Sequence, residues 1–128
     1  MPALNFMARL APLVQDGRKR QTVRRERKHP IRPGDRLLMY TGQRTRKAQK
    51  LMETTCSRVE NFCMDEHGRI ILGLREPIED ARILGPEEAE AFARADGLGV
   101  DGSTAYDDLH GFLLVNYGLP FEGVVIYW

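Results

Sequence analysis

The chain contains no apolar run long enough to span a membrane. Its N-terminus also lacks the charged start, apolar stretch and small-residue cleavage site that mark a secretory signal. The glycine-rich phosphate loops of nucleoside triphosphate enzymes and dinucleotide enzymes are absent, and no internal repeat or low-complexity tract occurs. These absences predict a soluble, cytoplasmic protein that does not bind membranes, and they give no support to those two nucleotide-binding classes.

Cysteine and histidine are scarce. The only thiols are Cys56 and Cys63, and in a reducing cytoplasm both are expected to be free. Their separation would place them on opposite faces of one unbroken strand, so no disulfide is expected between them. The three histidines have no distinctive neighbours, and the spacing of the potential ligands is not that of a zinc site. We therefore expect neither a metal, nor another cofactor, nor a cysteine-histidine catalytic pair.

Acidic residues are rare in the first half of the chain. Residues 1–58 contain 15 Lys or Arg against 4 Asp or Glu, whereas residues 59–128 contain 4 against 14. The formal net charge of +1 hides this asymmetry. Two interpretations stay open. The halves neutralise each other across the fold, or the basic half presents a surface to nucleotides or nucleic acid.

Hydrophobic residues make up 42% of the 128 residues, which is enough for one compact domain with its own core. Local patterns predict strands at 4–7, 22–24, 36–40, 53–64, 69–74 and 121–128. Helices are predicted at 9–16, from Pro86 up to Gly97, and at 104–117. Strands and helices do not alternate as in a parallel sheet, so the pattern predicts an antiparallel α+β domain or a small barrel. The apolar stripe of the last helix, Tyr106, Leu109, Phe112, Leu113 and Val115, is expected to face the core.

The segment from Gly17 to Arg25 places one lysine and one threonine, Lys19 and Thr22, inside an arginine cluster. Cationic neighbours lower the pKa of a lysine, and a neutral amine can take the proton of a hydroxyl. A regular strand would place Lys19 and Thr22 on opposite faces, so joint action requires a turn or bulge after Gly17. From these residues alone, a solvated surface lysine and an ordinary strand threonine are the simpler interpretation, and both interpretations stay open.

An ordered set of motifs extends this pattern along the chain. Gly17-Arg18-Lys19 with Thr22 and Arg24 is followed by Gly34-Asp35 before a strand, by Tyr40-Thr41-Gly42, and by a closing strand at 121–126. In this order the motifs resemble those of the ASCH domain family of the PUA-like superfamily. The resemblance covers most of the chain. It implies a single ASCH domain over residues 1–128, an α+β fold with a small, mostly antiparallel β-barrel and flanking helices.

Within that family, the motifs are similar to those of bacterial N(4)-acetylcytidine amidohydrolases, which have a lysine, a threonine three residues later and an acidic residue near a helix end. The resemblance implies that Lys19 is the base, Thr22 the nucleophile or a water-positioning hydroxyl, and Asp96 an acid/base or substrate anchor. Those enzymes have glutamate where Asp96 stands, so the acid here is one methylene shorter; Glu90 is a less favoured substitute. The implied activity is removal of the acyl group from N(4)-acetylcytidine and related N(4)-acylated cytosine nucleosides, without a cofactor.

Arg24 and Arg44 are candidates for binding the sugar, the carbonyl oxygen or a phosphate, because a guanidinium offers a fork of donors and stays charged. Phe6 or Tyr40 can stack on a pyrimidine, although a strand aromatic can equally belong to the core. Trp128 is expected to pack in the core.

Two other functions stay open. One is an RNA-binding module or ribonuclease of the ASCH type, whose basic segment 18–50 would follow a phosphate backbone. The other is a regulatory protein that senses a modified nucleoside without turnover. The range of acyl groups, the choice between base, nucleoside and polymer, and the oligomeric state do not follow from the sequence.

Overall fold

A computed structural model describes residues 2–73, 81–99 and 102–128. Within these residues the strands are β1 (Ala3–Phe6), β2 (Gln21–Arg24), β3 (Arg36–Thr41), β4 (Gln49–Thr55), β5 (Arg58–Met64), β6 (Ile70–Leu72), β7 (Arg82–Ile83) and β8 (Phe121–Tyr127). The helices are α1 (Ala11–Gln15), which follows a single 3₁₀ turn at Ala8–Leu10, α2 (Pro86–Ala95) and α3 (Ala105–Asn116). The prediction of an α+β fold with mostly antiparallel strands is confirmed.

The strands form two sheets. The first has the order β1-β3-β4, in which β1 is parallel to β3, and the second has the antiparallel order β2-β8-β5-β6-β7. Throughout the described ranges no strand pairing joins the two sheets into a closed barrel, so the predicted barrel is not found there. No helix in these ranges is long and apolar enough to cross a membrane.

A corner at Cys56 and Ser57 divides the apolar run that was predicted as one strand at 53–64. The Cys56 N–H donates to the Asp35 carbonyl at 2.8 Å, whereas the next N–H, that of Ser57, donates to the Tyr127 carbonyl at 2.8 Å. The backbone therefore changes its partner from the loop before β3 to the end of β8, and β4 and β5 belong to different sheets. The prediction of one unbroken strand is wrong for this reason.

Both thiols are free and buried, although they do not share one strand. Burial raises the pKa of each thiol, so both stay protonated at neutral pH. The hairpin between β5 and β6 is present as predicted, with Phe62 opposite Leu72. Residue Leu74, the predicted end of the second strand of this hairpin, lies outside the described residues.

Strand β8 connects two hydrophobic clusters. Phe121 and Val125 pack with α2, α3 and the inner face of the second sheet. Val124 and Ile126 pack with β1, α1 and β3. Because alternate residues of a strand point to opposite faces, β8 contributes to both clusters at once.

Helix α3 only partly follows the predicted stripe. Leu109 and Leu113 are buried, as predicted, but Phe112 is 43% and Val115 83% exposed. The helix buries the face that carries Leu109 and Leu113, which are four residues apart. Phe112 lies at the edge of this face, and Val115 lies on the opposite side of the helix. Tyr106 is half-buried, and its hydroxyl donates to the Gly68 carbonyl at 2.5 Å, which ties α3 to the β5–β6 hairpin loop.

Candidate functional site

A cavity of about 240 Å³ lies where β1, β2, the end of α2 and α3 meet. Five of the seven predicted site residues line it, namely Phe6, Lys19, Thr22, Arg24 and Asp96. They come from three separate parts of the sequence. The fold therefore brings most of the predicted site together in one small space.

Lys19 reaches this cavity because the chain turns before β2 begins. Gly17 has φ +84°, a conformation that favours glycine, and it lies two residues after Gln15, the last residue of α1. The Lys19 N–H then donates to the Leu13 carbonyl at 2.9 Å, and the strand starts only at Gln21. The turn that joint action of Lys19 and Thr22 requires is thus present, and alternation along a strand does not separate them.

The Lys19 ammonium is surrounded by oxygen atoms and is only 1% exposed. Its Nζ donates to the Gln21 carbonyl at 2.8 Å and to the Asp96 carbonyl at 2.5 Å. An ion pair of 3.5 Å joins it to Asp96 Oδ1. Burial is the main cause that lowers the pKa of Lys19; Arg24 lowers it further, and Asp96 opposes both. The result is a lysine that gives up its proton more readily than one on the surface.

Asp96 follows the last residue of α2 and is 9% exposed. Burial raises its pKa from 3.8 to about 6, although Lys19 acts in the opposite direction. The ion pair of 3.5 Å is longer than the ~2.7–2.9 Å of a charge-assisted hydrogen bond, so Lys19 holds this carboxylate loosely. The next residue, Gly97, has φ +92°, and a Cβ there would lie 3.3 Å from Lys19 Cδ. Glycine therefore lets the end of α2 approach the lysine closely.

Glu90, the less favoured substitute for Asp96, has another position and another task. It does not line the cavity. Its carboxylate accepts the N–H groups of Ala105 and Tyr106 at 3.0 and 2.9 Å, at the first turn of α3. These bonds lower the pKa of Glu90 and satisfy donors that a helix start leaves open. Among the two acids considered, Asp96 is thus the one at the cavity.

Thr22 and Arg24 lie on the same face of β2, two residues apart. Arg24 Nε donates to Thr22 Oγ1 at 3.0 Å, and Arg24 Nη2 donates to the Asn5 carbonyl at 2.6 Å. The Thr22 hydroxyl keeps its own hydrogen for donation because it acts here as an acceptor. No hydrogen bond in the described part of the chain links Thr22 to Lys19.

Phe6 forms a wall of the cavity, but its ring is only 2% exposed. Lys19 Nζ lies 5.7 Å and Arg24 Cζ 4.9 Å from the ring centroid, and the Trp128 ring contacts Phe6 edge-on at 5.9 Å. A ring in these surroundings orients cations rather than stacking on a ligand. The structure thus favours the core interpretation of Phe6, and Trp128 is buried as expected.

Arg44 and Tyr40, the other two predicted site residues, do not line the cavity. Arg44 lies in the exposed loop 42–48, which we call the basic loop. An N–H of this loop, that of Gln43, donates to Asn5 Oδ1 at 2.8 Å, which anchors the loop beside the cavity without turning Arg44 into it. Tyr40 points away from the face of β3 that carries the buried Met39.

Several residues at the cavity were not predicted. Its lining includes the polar residues Asn5, Arg9 and Arg25 and, at its margin, the partly exposed Met7, Phe112 and Tyr117. One sequence signal points to this margin: apolar residues 112–115 continue around α3 beyond the stripe that a core needs. Nothing in the sequence separates Arg9 and Arg25 from the other arginines of the basic half.

The charges at the cavity are unequal in number. Among the described residues that line it, Asp96 is the only carboxylate, against Lys19 and the three arginines Arg9, Arg24 and Arg25. Within the described ranges, no group of three or more His, Cys, Asp or Glu side chains is arranged to hold a metal ion. The site therefore offers an amine, a hydroxyl and a carboxylate, together with guanidinium donors for an electron-rich ligand.

Comparisons of the chain with models of protein families, with curated proteins and with solved structures give no match. The resemblance to the ASCH family therefore rests on the motifs alone. Function has to be argued from the geometry of the Lys19, Thr22 and Asp96 cavity.

Proposed function

We propose that the chain is an amidohydrolase that removes the acyl group from N(4)-acetylcytidine and related N(4)-acylated cytosine nucleosides, and that residues 1–128 form a single ASCH-type domain of the PUA-like superfamily. One observation carries this proposal. Lys19 and Asp96, which are 77 positions apart, are in contact in the cavity that Thr22 also lines. The resemblance selects these three residues without reference to their positions in space. Their presence at one cavity is therefore independent support for the proposal.

In the first half of the reaction, the neutral amine of Lys19 takes the proton of the Thr22 hydroxyl while Oγ1 attacks the acyl carbonyl carbon. Arg24 already donates to Thr22 Oγ1 at 3.0 Å, so its guanidinium is close to the negative oxygen that develops on the attacked carbonyl. The carbon-nitrogen bond then breaks, and the leaving N(4) nitrogen takes the proton from Lys19. Cytidine leaves, and the acyl group remains on Thr22 as an ester.

In the second half, water attacks the ester carbonyl carbon. Lys19 takes a proton from this water and returns it to Thr22 Oγ1 as the ester bond breaks, so the carboxylic acid leaves and the threonine is restored. Asp96 stabilises the ammonium form of Lys19 between these steps. Since the pKa of Asp96 is about 6, its carboxylate can also accept the proton that Lys19 must lose before the first attack.

The size of the cavity supports a small substrate. Its volume of about 240 Å³ lies below the ~300–1,000 Å³ of sites that enclose drug-sized ligands. A pyrimidine with a short acyl group suits this space better than several nucleotides of a polymer. An RNA-binding module is the second candidate, favoured by the exposed cations Arg44, Arg46 and Lys47 of the basic loop, which is anchored beside the cavity.

Incubation of the purified protein with N(4)-acetylcytidine tests the proposal, with chromatographic detection of cytidine and acetate. We expect turnover by the unaltered chain and its loss in Thr22→Ala. Thr54→Ala is the matched control, because Thr54 is half-buried in β4 and does not line the cavity. Mass spectrometry of the quenched reaction should detect the acyl group on Thr22. Absence of cytidine release, together with RNA affinity that falls steeply with salt, would instead support the second candidate.

A further inference from the structure

Two arginines at the cavity, Arg9 and Arg25, have no function in the proposed chemistry. Both residues line the cavity and both are exposed. In the described part of the chain, no carboxylate forms an ion pair with either of them. Asp96, the carboxylate that the described lining contains, is already paired with Lys19. Two guanidinium groups at one small cavity thus lack an anionic partner, and an anionic ligand would supply it.

We infer that Arg9 and Arg25 form a phosphate subsite at the cavity, so that the substrate is an N(4)-acylated cytidine that carries a phosphate. This inference rests on the proposed function and narrows its substrate class from nucleosides to phosphorylated nucleosides. The chemistry of recognition is that of a guanidinium with phosphate oxygens. The phosphate belongs either to a free nucleotide or to an RNA strand, and the experiment below separates these two sources.

The surroundings of Arg25 suit this task. Its Cζ lies 4.7 Å from the centroid of the Tyr117 ring, which holds the guanidinium by a cation-π contact. The cation-π contact does not occupy the N–H groups of Arg25, and within the described ranges these groups donate no hydrogen bond, so they are available to phosphate oxygens. Tyr117 directly follows the last residue of α3 and also lines the cavity. The ring therefore restricts a side chain that would otherwise move freely.

Arg24 provides the contrast within the same cavity. Its Nε is engaged with Thr22 and its Nη2 with the Asn5 carbonyl. It also lies against the Phe6 ring. Arg24 therefore binds the threonine and the wall of the cavity, whereas Arg9 and Arg25, which form no such bonds with other described residues, remain for the phosphate.

Binding of reaction products tests the subsite without any need for turnover. Isothermal titration with cytidine and with cytidine 5′-monophosphate and 3′-monophosphate should give at least roughly tenfold tighter binding of one nucleotide than of the nucleoside. Arg25→Gln and Arg9→Gln should reduce this preference. Arg32→Gln, which removes one exposed charge away from the cavity, should preserve it. Equal affinities for cytidine and both nucleotides, or an unchanged preference in Arg25→Gln, would overturn the inference.

Turnover then distinguishes the sources of the phosphate. The values of kcat/KM are compared for N(4)-acetylcytidine, its monophosphates and a short RNA that contains the acetylated base. A free nucleotide is the source if a monophosphate is the best substrate. RNA is the source if the oligonucleotide has the highest kcat/KM and if Arg46→Gln, in the basic loop, lowers kcat/KM for the oligonucleotide but not for the smaller substrates. If the uncharged nucleoside has the highest kcat/KM, the phosphate subsite is contradicted and the proposed function is supported. If a nucleotide binds more tightly than cytidine but no substrate is turned over, the subsite is supported and the proposed function is contradicted.

Discussion

Replacement of Asp96 by asparagine should change how the free energy of unfolding depends on pH. Burial raises the pKa of Asp96 from 3.8 to about 6, so between these values the folded chain binds a proton that the unfolded chain has released. The free energy of unfolding contributed by Asp96 is therefore fully present below its unfolded pKa and is lost as the pH rises through about 6. The interval between the two values corresponds to about 3 kcal/mol. Asp96→Asn lacks this contribution.

The measurement compares urea unfolding of the unaltered chain and Asp96→Asn between about pH 4 and pH 7. The stability of the unaltered chain relative to the variant should fall by roughly 2.4 kcal/mol across this range, less than the full interval because pH 4 already lies just above the unfolded pKa of 3.8. Loss of the carboxylate also removes the charge that supports the Lys19 ammonium, so the pKa of Lys19 falls further in the variant. The variant then gains stability as the pH rises, which changes the difference in the same direction.

Asp16→Asn is the matched control, because the same substitution there should give a slope of opposite sign. The hydrogen bond from the Arg18 side chain lowers the pKa of Asp16, so its contribution is present at neutral pH and is lost as the pH falls. A difference for Asp96→Asn that stays constant or grows from acidic to neutral pH would refute a raised pKa of Asp96. Either result would mean that the ionised carboxylate is stabilised in the fold, and that Asp96 is unsuited to accept a proton near neutrality.

The remaining predictions concern the reaction and one helix. The rate of N(4)-acetylcytidine hydrolysis should rise with pH through about 6 and beyond, because Asp96 must ionise and Lys19 must lose its proton. A rate that does not change from about pH 5 to 9 argues against Lys19 as the base. Lys19→Met and Thr22→Ala should each reduce kcat by orders of magnitude. The double variant should lose little more kcat than either single variant, because base and nucleophile act as one unit. A loss in the double variant equal to the product of the two single losses contradicts this. Glu90→Gln should lower the Tm without changing kcat, because Glu90 stabilises the start of α3 and does not line the cavity. A large loss of kcat in a variant that is fully folded at the assay temperature would show that Glu90 takes part in the reaction.

Local signals in the sequence predicted most helices and strands. Proline at Pro86 and glycine at Gly17 and Gly118 act within one turn of the residues that they limit, so their effect is visible without the rest of the fold. The corner at Cys56 and Ser57 has no such signal. Its backbone bonds reach Asp35 and Tyr127, which are far away in the sequence, and neither glycine nor proline marks the break. Division into two sheets was therefore unpredictable from local patterns.

The residues of the candidate site, too, were only partly predictable from local sequence signals. Lys19, Thr22 and Asp96 were proposed through a family resemblance, and no local property of Asp96 predicts that it is buried beside Lys19. Arg25 and Arg44 show the limit clearly, since both are arginines in basic segments and only Arg25 lines the cavity. The difference arises because Tyr117 holds Arg25, whereas Arg44 lies in the exposed basic loop.

The buried contact between Lys19 and Asp96 lowers the free energy of unfolding, because both ionisable groups are removed from water. Removing two ionisable groups from water is unfavourable, and a 3.5 Å ion pair offsets only part of that penalty. The pKa shifts of both residues have the sign of this penalty, since burial disfavours the charged form of each. The same shifts move both pKa values toward neutral pH, which suits groups that exchange protons in the proposed reaction. Burial at this position thus lowers stability and shifts both pKa values through one physical cause, the combination that the proposed function requires.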